Sequence, residues 1–184
     1  MKSNFEMLAA YNTWVNERLY EAAANLSDAE YRKDRGAFFG SLHGTLNHLL
    51  LGDLIWMRRF TGEGAEPDKL DAILFEDLTE LRAARRAEDA RIEDYIKRLD
   101  EAALTGTIHY RTTRNPTDIE QELAPLLIHF FNHQTHHRGQ AHCLLTASAG
   151  AAPSFDLLVY QRQTGMSLRK GSGGAFAAVE KRPG

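Results

Sequence analysis

The chain has one cysteine, no long apolar run and almost no net charge. The single cysteine, Cys143, excludes an intrachain disulfide, and no stretch is long and apolar enough to span a bilayer. The N-terminal segment lacks the uninterrupted apolar core of a signal peptide. A formal net charge of −3 does not indicate a protein that binds nucleic acid. We therefore expect a cytoplasmic protein that binds neither a membrane nor a nucleic acid.

Four long segments repeat apolar residues at every third or fourth position, as helices do. The predicted helices cover residues 4–25, 41–61, 75–103 and 117–149, followed by a short last helix over 153–162. The fourth is expected to start at Thr117, three residues before Glu120, which is a capping-box spacing. Gly62 and Gly150 are expected to end the second and the fourth.

The segment between the third and fourth helices, residues 104–116, is rich in β-branched and turn-forming residues and predicts an extended crossing or a small hairpin. With that long connection, the pattern predicts an all-α fold, a four-helix bundle with a crossover connection and a short C-terminal helix. We assign residues 1–163 to this bundle and residues 164–184 to a flexible, basic C-terminal tail. The second helix is apolar on nearly every side, which predicts a homodimer in which a second subunit covers part of it.

Histidines are the most informative feature of the chain, because five of its eight fall between His129 and His142. On a helical wheel, His133 and His137 lie in the middle of the apolar stripe of the fourth helix, and His129 lies at its edge. Two imidazoles at an i, i+4 spacing lie one above the other and can bind one metal ion. The alternative is a pair of hydrogen-bonded core histidines.

A third ligand has to come from another helix, and the second helix offers His43, His48 and Asp53. The wheel does not choose between His48 and Asp53, which lie on different parts of its wide apolar surface. Periodicity alone therefore leaves both open.

Four segments carry a family resemblance: AAYNTWVNERL at 9–19, FFGSLHGTLNHLLLGDLIWMRRF at 38–60, HFFNHQTHHRGQAHCLLT at 129–146 and PSFDLLVYQR at 153–162. Through them the chain resembles the DinB/YfiT-like family of bacterial bundle proteins. The resemblance implies a four-helix bundle, commonly dimeric, with a metal ion held by three histidines. The residues that match the family's ligands are His48 and the pair His133 and His137.

The resemblance also suggests residues around the ligands. Asp53 matches the acidic position after the first histidine and is expected to support a ligand or to be structural. Asn16 and Gln140 are expected to orient ligands or to face the site. His129 is expected to support a ligand, or to replace one of the pair as a ligand, since it lies four residues before His133. Asp53 and His129 are candidates for a general acid or base, and no catalytic residue is assigned.

Three neutral histidines leave a tetrahedral metal with one open position, which is typical of catalytic sites. Zinc, nickel and iron all suit imidazole ligands. The resemblance favours an S-transferase that joins a low-molecular-weight thiol, such as bacillithiol, mycothiol or glutathione, to a small electrophile. The alternatives are a hydrolase that uses metal-bound hydroxide and a non-catalytic metal-binding stress-response protein.

Overall fold

The computed structural model describes residues 1–64, 67, 69–113 and 115–166, and most of the predicted tail lies outside these ranges. The fold is mostly helical, as the periodicity predicts. Its helices are α1 (Lys2–Ala24), α2 (Asp28–Arg32), α3 (Leu42–Thr61), α4 (Leu78–Arg98), α5 (Leu123–Ala149) and α6 (Leu157–Gln163). A 3₁₀ turn at Ala103–Thr105 precedes two strands, β1 (Thr107–Arg111) and β2 (Asp118–Glu122).

The ends of α3 and α4 follow from their capping residues. Ser41 accepts a hydrogen bond from the Gly44 N–H at 3.1 Å, and Gly62 closes α3 with φ of 75°. Asp77 accepts from the N–H groups of Thr79 and Glu80, so α4 starts at Leu78, three residues later than predicted. The helix ends at Arg98, before the 103 expected from periodicity.

The predicted start of the fourth helix at Thr117 is wrong. Residues Asp118–Glu122 form β2, which pairs antiparallel with β1, and α5 begins only at Leu123. Proline explains the difference, because Pro125 is tolerated in the first turn of a helix but would break a helix that had begun eight residues earlier. Thr117 closes the hairpin instead, since Thr112 N–H donates to its carbonyl at 3.0 Å.

The hairpin confirms the prediction of a small extended element and makes the fold less than strictly all-α. Its register places Tyr110 opposite Ile119, and both side chains are half-buried while their neighbours along each strand are exposed. Ile108 and Tyr110 pack against the core below them, so one face of the hairpin covers the end of the helices.

The four long helices pack in adjacent pairs: α1 against α4 and α5, and α3 against α4 and α5. Two apolar clusters fill the space between them, one around Met57, Ile92 and Phe130 and the other around Leu46 and Leu144. The short helix α6 is shorter than predicted and starts later, at Leu157, where Asp156 caps it. It closes the outer side of α1.

Helix α3 is buried on nearly every side, as its composition predicts, but the chain itself provides the cover. Leu49, Leu50 and Leu51 point in three different directions and each is at most 1% exposed. The apolar surface of α3 therefore does not call for a second subunit, and the homodimer stays a prediction. No helix among the described residues combines the length and apolarity needed to cross a membrane.

Candidate metal centre

Three histidines from two helices converge at one point. His48 of α3 and His137 of α5 have their Nε2 atoms 3.2 Å apart, and the Nε2 atoms of His137 and His133 are 3.1 Å apart. One ligand atom of each ring lies within 4.8 Å of the other two. The i, i+4 spacing on α5 and the contact between α3 and α5 together produce this cluster.

The remaining ring nitrogens of His48 and His137 fix the direction of their lone pairs. His48 Nδ1–H donates to the Leu70 carbonyl at 2.7 Å, and His137 Nδ1–H donates to Gln140 Oε1 at 2.8 Å. In the neutral rings, the Nε2 lone pairs then face one another. Two such lone pairs repel at this distance, and a cation between them removes the repulsion.

The spacing of these nitrogens fits a first-row metal ion. A tetrahedral ion with metal–nitrogen bonds of about 2.0–2.1 Å separates its nitrogen ligands by about 3.3–3.4 Å. The observed separations of 3.1 and 3.2 Å need only a small outward movement of the rings. A divalent metal ion could therefore be held by His48, His133 and His137. Two of these rings already make the second hydrogen bond that is typical of metal-binding histidines: His48 to Leu70 and His137 to Gln140.

Burial keeps the three rings neutral. It lowers the pKa of His48 to about 4, although the hydrogen bond to Leu70 acts in the opposite direction. Burial, with help from the neighbouring histidines, lowers the pKa of His133 to about 3. Burial also lowers the pKa of His137, and the Gln140 contact partly offsets it. Neutral imidazoles are the form that binds metal, so near neutral pH these three nitrogens are available without loss of a proton.

Gly52 makes room for the ring of His133. A β-carbon on Gly52 would lie 2.9 Å from Cε1 of that ring, which is closer than real β-carbon contacts. Helix α3 therefore presents bare backbone to α5 at this level. Periodicity did not reveal this role, and the only signal in the sequence is a glycine inside an otherwise strong helical pattern.

An aromatic side chain, that of Phe39, covers one face of the His48 ring. The ring of Phe39 stacks on that of His48 with centroids 3.8 Å apart and meets His137 edge-on at 5.5 Å. Beside them lies an open cavity of about 700 Å³, whose walls include Phe38 and Gln140. Phe39 therefore covers one face of His48, and His48 and His137 both line the cavity.

Of the predicted supporting residues, Gln140 is at the site and His129 is beside it. Gln140 contacts His137 and also has its Nε2 3.2 Å from His136 Nε2, and His136 lines the cavity. The exposed ring of His129 stands 6.0 Å from that of His133 and 5.0 Å from that of Trp56, outside the convergence point.

Asp53 and Asn16 belong to a different part of the molecule. Asp53 is fully buried, pairs with Arg85 Nη1 at 2.7 Å and accepts a hydrogen bond from Gln134 Nε2. Asn16 Nδ2 donates to Asp89 at 3.0 Å, so it does not orient a histidine as predicted. Both residues take part in a buried polar cluster that joins α1, α3, α4 and α5.

This buried cluster also contains Asn12 and Arg138, and two of its carboxyl groups lie against the guanidinium of Arg85. Arg85 contacts both Asp53 and Asp89, the latter at 3.0 Å. Burial raises the pKa of Asp53 to about 7 against the opposing effect of Arg85. Among the described residues, Asp53 contacts Arg85 and Gln134, the neighbour of His133, and no hydrogen bond joins it to a candidate ligand.

Comparison with known proteins gives the family. A sequence model of the DinB family matches residues 1–171. The chain belongs to the DinB family. Protein DinB of Bacillus subtilis (strain 168) is 28% identical over 162 residues, which cover 83% of this chain and 91% of that protein. The resemblance inferred from the four segments is confirmed, and this DinB-family chain carries a possible three-histidine metal site.

Proposed function

We propose that this DinB-family protein is a metal-dependent S-transferase that joins a low-molecular-weight thiol to a small electrophile. The observation that carries the proposal is the group of three Nε2 atoms, 3.1–3.2 Å from one to the next, beside an open cavity. Three ligands with an accessible side are typical of catalytic metal sites, whereas structural sites are usually closed by four.

Zinc, nickel or iron held by His48, His133 and His137 would supply a Lewis acid that lowers the pKa of a thiol brought to it. The protein contributes three things. Gln140 and the Leu70 carbonyl fix the ligand tautomers, and Phe39 keeps water from one face of His48. Burial keeps the rings unprotonated.

The proposed reaction is a displacement in the cavity. The thiol loses its proton to solvent, and its sulfur forms a bond to an electrophilic carbon of the second substrate. The bond from that carbon to the leaving group breaks, and the leaving group departs with the electron pair. We assign no side chain as the acid or base. We further propose that the chain is a cytoplasmic four-helix bundle that forms a homodimer.

A hydrolase is the second candidate, because one carboxylate does reach the cavity. Asp71 lies on the cavity wall, whereas Asp53 is committed to Arg85. In this alternative, water replaces the thiol and Asp71 accepts its proton. The geometry favours the transferase, because Asp71 is an exposed loop residue with no contact that orients it towards the histidines among the described residues.

The experiment is a conjugation assay on protein loaded in turn with zinc, nickel or iron. Bacillithiol, mycothiol and glutathione are each paired with monochlorobimane, and the fluorescent adduct is measured. We expect metal-dependent adduct formation with at least one thiol, lost in the His133→Ala, His137→Ala double variant and retained in His109→Ala, which removes an exposed histidine on β1. Adduct formation no faster than without protein, for every thiol and metal, would overturn the proposal.

A parallel ester-hydrolysis assay with p-nitrophenyl acetate separates the candidates. Metal-dependent hydrolysis that disappears in Asp71→Asn, without thiol conjugation, would favour the hydrolase. Absence of both activities in metal-loaded protein would leave a non-catalytic metal-binding protein.

A further inference from the structure

Phe38 is the most exposed of the large apolar side chains in the described part of the chain, at 82%. A single exposed apolar side chain is ordinary on a protein surface. One that stands in the wall of a cavity, however, adds apolar surface that a bound molecule can cover. Phe38 lies on the wall of the same 700 Å³ cavity that borders the histidines.

Phe38 is the outer member of an aromatic path that leads to the metal centre. Its ring meets Phe39 edge-on, with centroids 4.8 Å apart, and Phe39 in turn stacks on His48. Leu70 lines the same cavity, and its carbonyl holds His48. The apolar wall is therefore continuous from the solvent to a candidate ligand.

The turn that carries Phe38 is held by backbone hydrogen bonds. Arg35 N–H donates to the Gly40 carbonyl and Gly40 N–H donates to the Ala37 carbonyl, at 2.9 and 2.8 Å. Gly36 and Gly40 both have φ of 71°, a conformation that other residues rarely adopt. Phe38 is thus fixed in its exposed position by the local fold.

Other walls of the cavity are polar and include Lys69, Thr113 and Gln140. A cavity of several hundred cubic ångströms with one aromatic side and a few polar groups has the size and composition of a small-molecule site. We propose that it binds a small organic molecule with a flat apolar group, and that Phe38 is the platform on which this group lies. The binding of such a molecule does not depend on the proposed function. If the protein is the proposed transferase, the bound molecule is its electrophile, and the inference then rests on that function in naming the electrophile as an aromatic or similarly flat compound.

The test uses full-length, metal-free protein and the fluorescent probe 8-anilinonaphthalene-1-sulfonate, so that neither metal loading nor turnover affects the result. We expect saturable binding to the native protein and a Kd about tenfold weaker in Phe38→Ala. Phe38→Trp, which keeps an aromatic platform, is expected to retain the native Kd. Ile128→Ala is the matched control, because Ile128 is 59% exposed and does not line the cavity.

An unchanged Kd in Phe38→Ala, or an equal loss in Ile128→Ala, would overturn the inference. Binding that weakens as protein concentration rises, with a lower oligomeric mass for Phe38→Ala, would also overturn it, because Phe38 would then be covered by a second copy. Failure of the transferase proposal looks different. In that case the probe binds in a Phe38-dependent way, but no thiol adduct forms.

Discussion

Gly52 on α3 faces the imidazole of His133 on α5 so closely that a β-carbon would lie 2.9 Å from Cε1 of the ring. The His133 ring can take its position because α3, the helix that also carries His48, has no side chain at Gly52. A side chain at this position would force the His133 ring to shift from the place where it meets the other two rings.

Replacing Gly52 by alanine is expected to weaken metal binding without unfolding the protein. The added methyl group pushes the His133 ring away from the other two, so we expect the metal Kd to rise about tenfold or more. Alanine also favours helix, so the thermal midpoint of the metal-free variant should not fall by much. Competition with a chromogenic chelator measures the Kd, and circular dichroism measures the midpoint.

Gly139→Ala is the matched control for this prediction, because Gly139 also lies in a helix near the site and a β-carbon there meets nothing within 4 Å. We expect its metal Kd to equal that of the native protein. Equal affinities for Gly52→Ala and the native protein would contradict the steric role of Gly52.

Gln140 is expected to support metal binding through His137. Removing its side chain by Gln140→Ala takes away the acceptor of His137 Nδ1–H, and loss of such partners typically costs about 10–100-fold in metal affinity. The same chelator competition measures it, with Gln161→Ala as the control on α6. A native Kd in Gln140→Ala would show that the ring of His137 is held by its packing alone.

The buried cluster is expected to be critical for stability. Arg85→Ala removes the buried guanidinium that contacts both Asp53 and Asp89, and breaking such a buried interaction typically costs about 3–5 kcal/mol. The neighbouring Arg86 pairs with Glu17 at the surface, so Arg86→Ala should cost at most about 1 kcal/mol. Urea unfolding of both variants measures the difference, and similar losses for the two would argue against the cluster's role.

Asp53 is expected to make the protein less stable as pH rises. Burial raises its pKa to about 7, well above the value in the unfolded chain, so between pH 4 and 7 the folded state holds a proton that the unfolded state has released. This contribution to stability is complete below pH 4 and is lost as pH rises to 7. Arg85 of α4 and Gln134 of α5 contact this carboxyl, and the charges of Asp89 and Glu88 on α4 also raise its pKa.

The comparison with Asp53→Asn isolates this effect, because asparagine resembles the protonated acid and does not titrate. The free energy of unfolding of the native protein minus that of the variant should fall steadily from pH 4 to pH 7 in urea titrations. A difference that is constant or that rises with pH would show that Asp53 is ionised throughout.

Sequence patterns predicted most of the helices and the shared face of the histidine pair. The apolar periodicity and Gly62 predicted α3 closely, and the i, i+4 spacing predicted that His133 and His137 share a face. These features are local, so a single segment determines them. The capping-box spacing at Thr117 predicts a start that α5 does not have, because Pro125 is tolerated only in the first turn of a helix and α5 begins at Leu123.

What the patterns could not predict depends on contacts between helices. Gln134 and Arg138 are buried in polar contacts on a face of α5 that hydrophobicity alone does not mark. Periodicity does not decide whether His48 or Asp53 is the third ligand beside His133 and His137. The packing of α3 decides it, because His48 meets His137 on α5 whereas Asp53 pairs with Arg85 on α4. Phe39 reaches His48 from a turn whose path no helical pattern describes.

The central claim, a metal ion held by three histidines, is tested most directly by the metal content of the purified protein. Tag-free protein, prepared without chelators or a nickel column, is analysed by plasma mass spectrometry beside the His133→Ala, His137→Ala double variant and the His109→Ala control. The account predicts about one zinc, nickel or iron per chain in the native protein and in the control, and almost none in the double variant. Native protein that carries almost no metal and takes up none when it is offered would contradict the account.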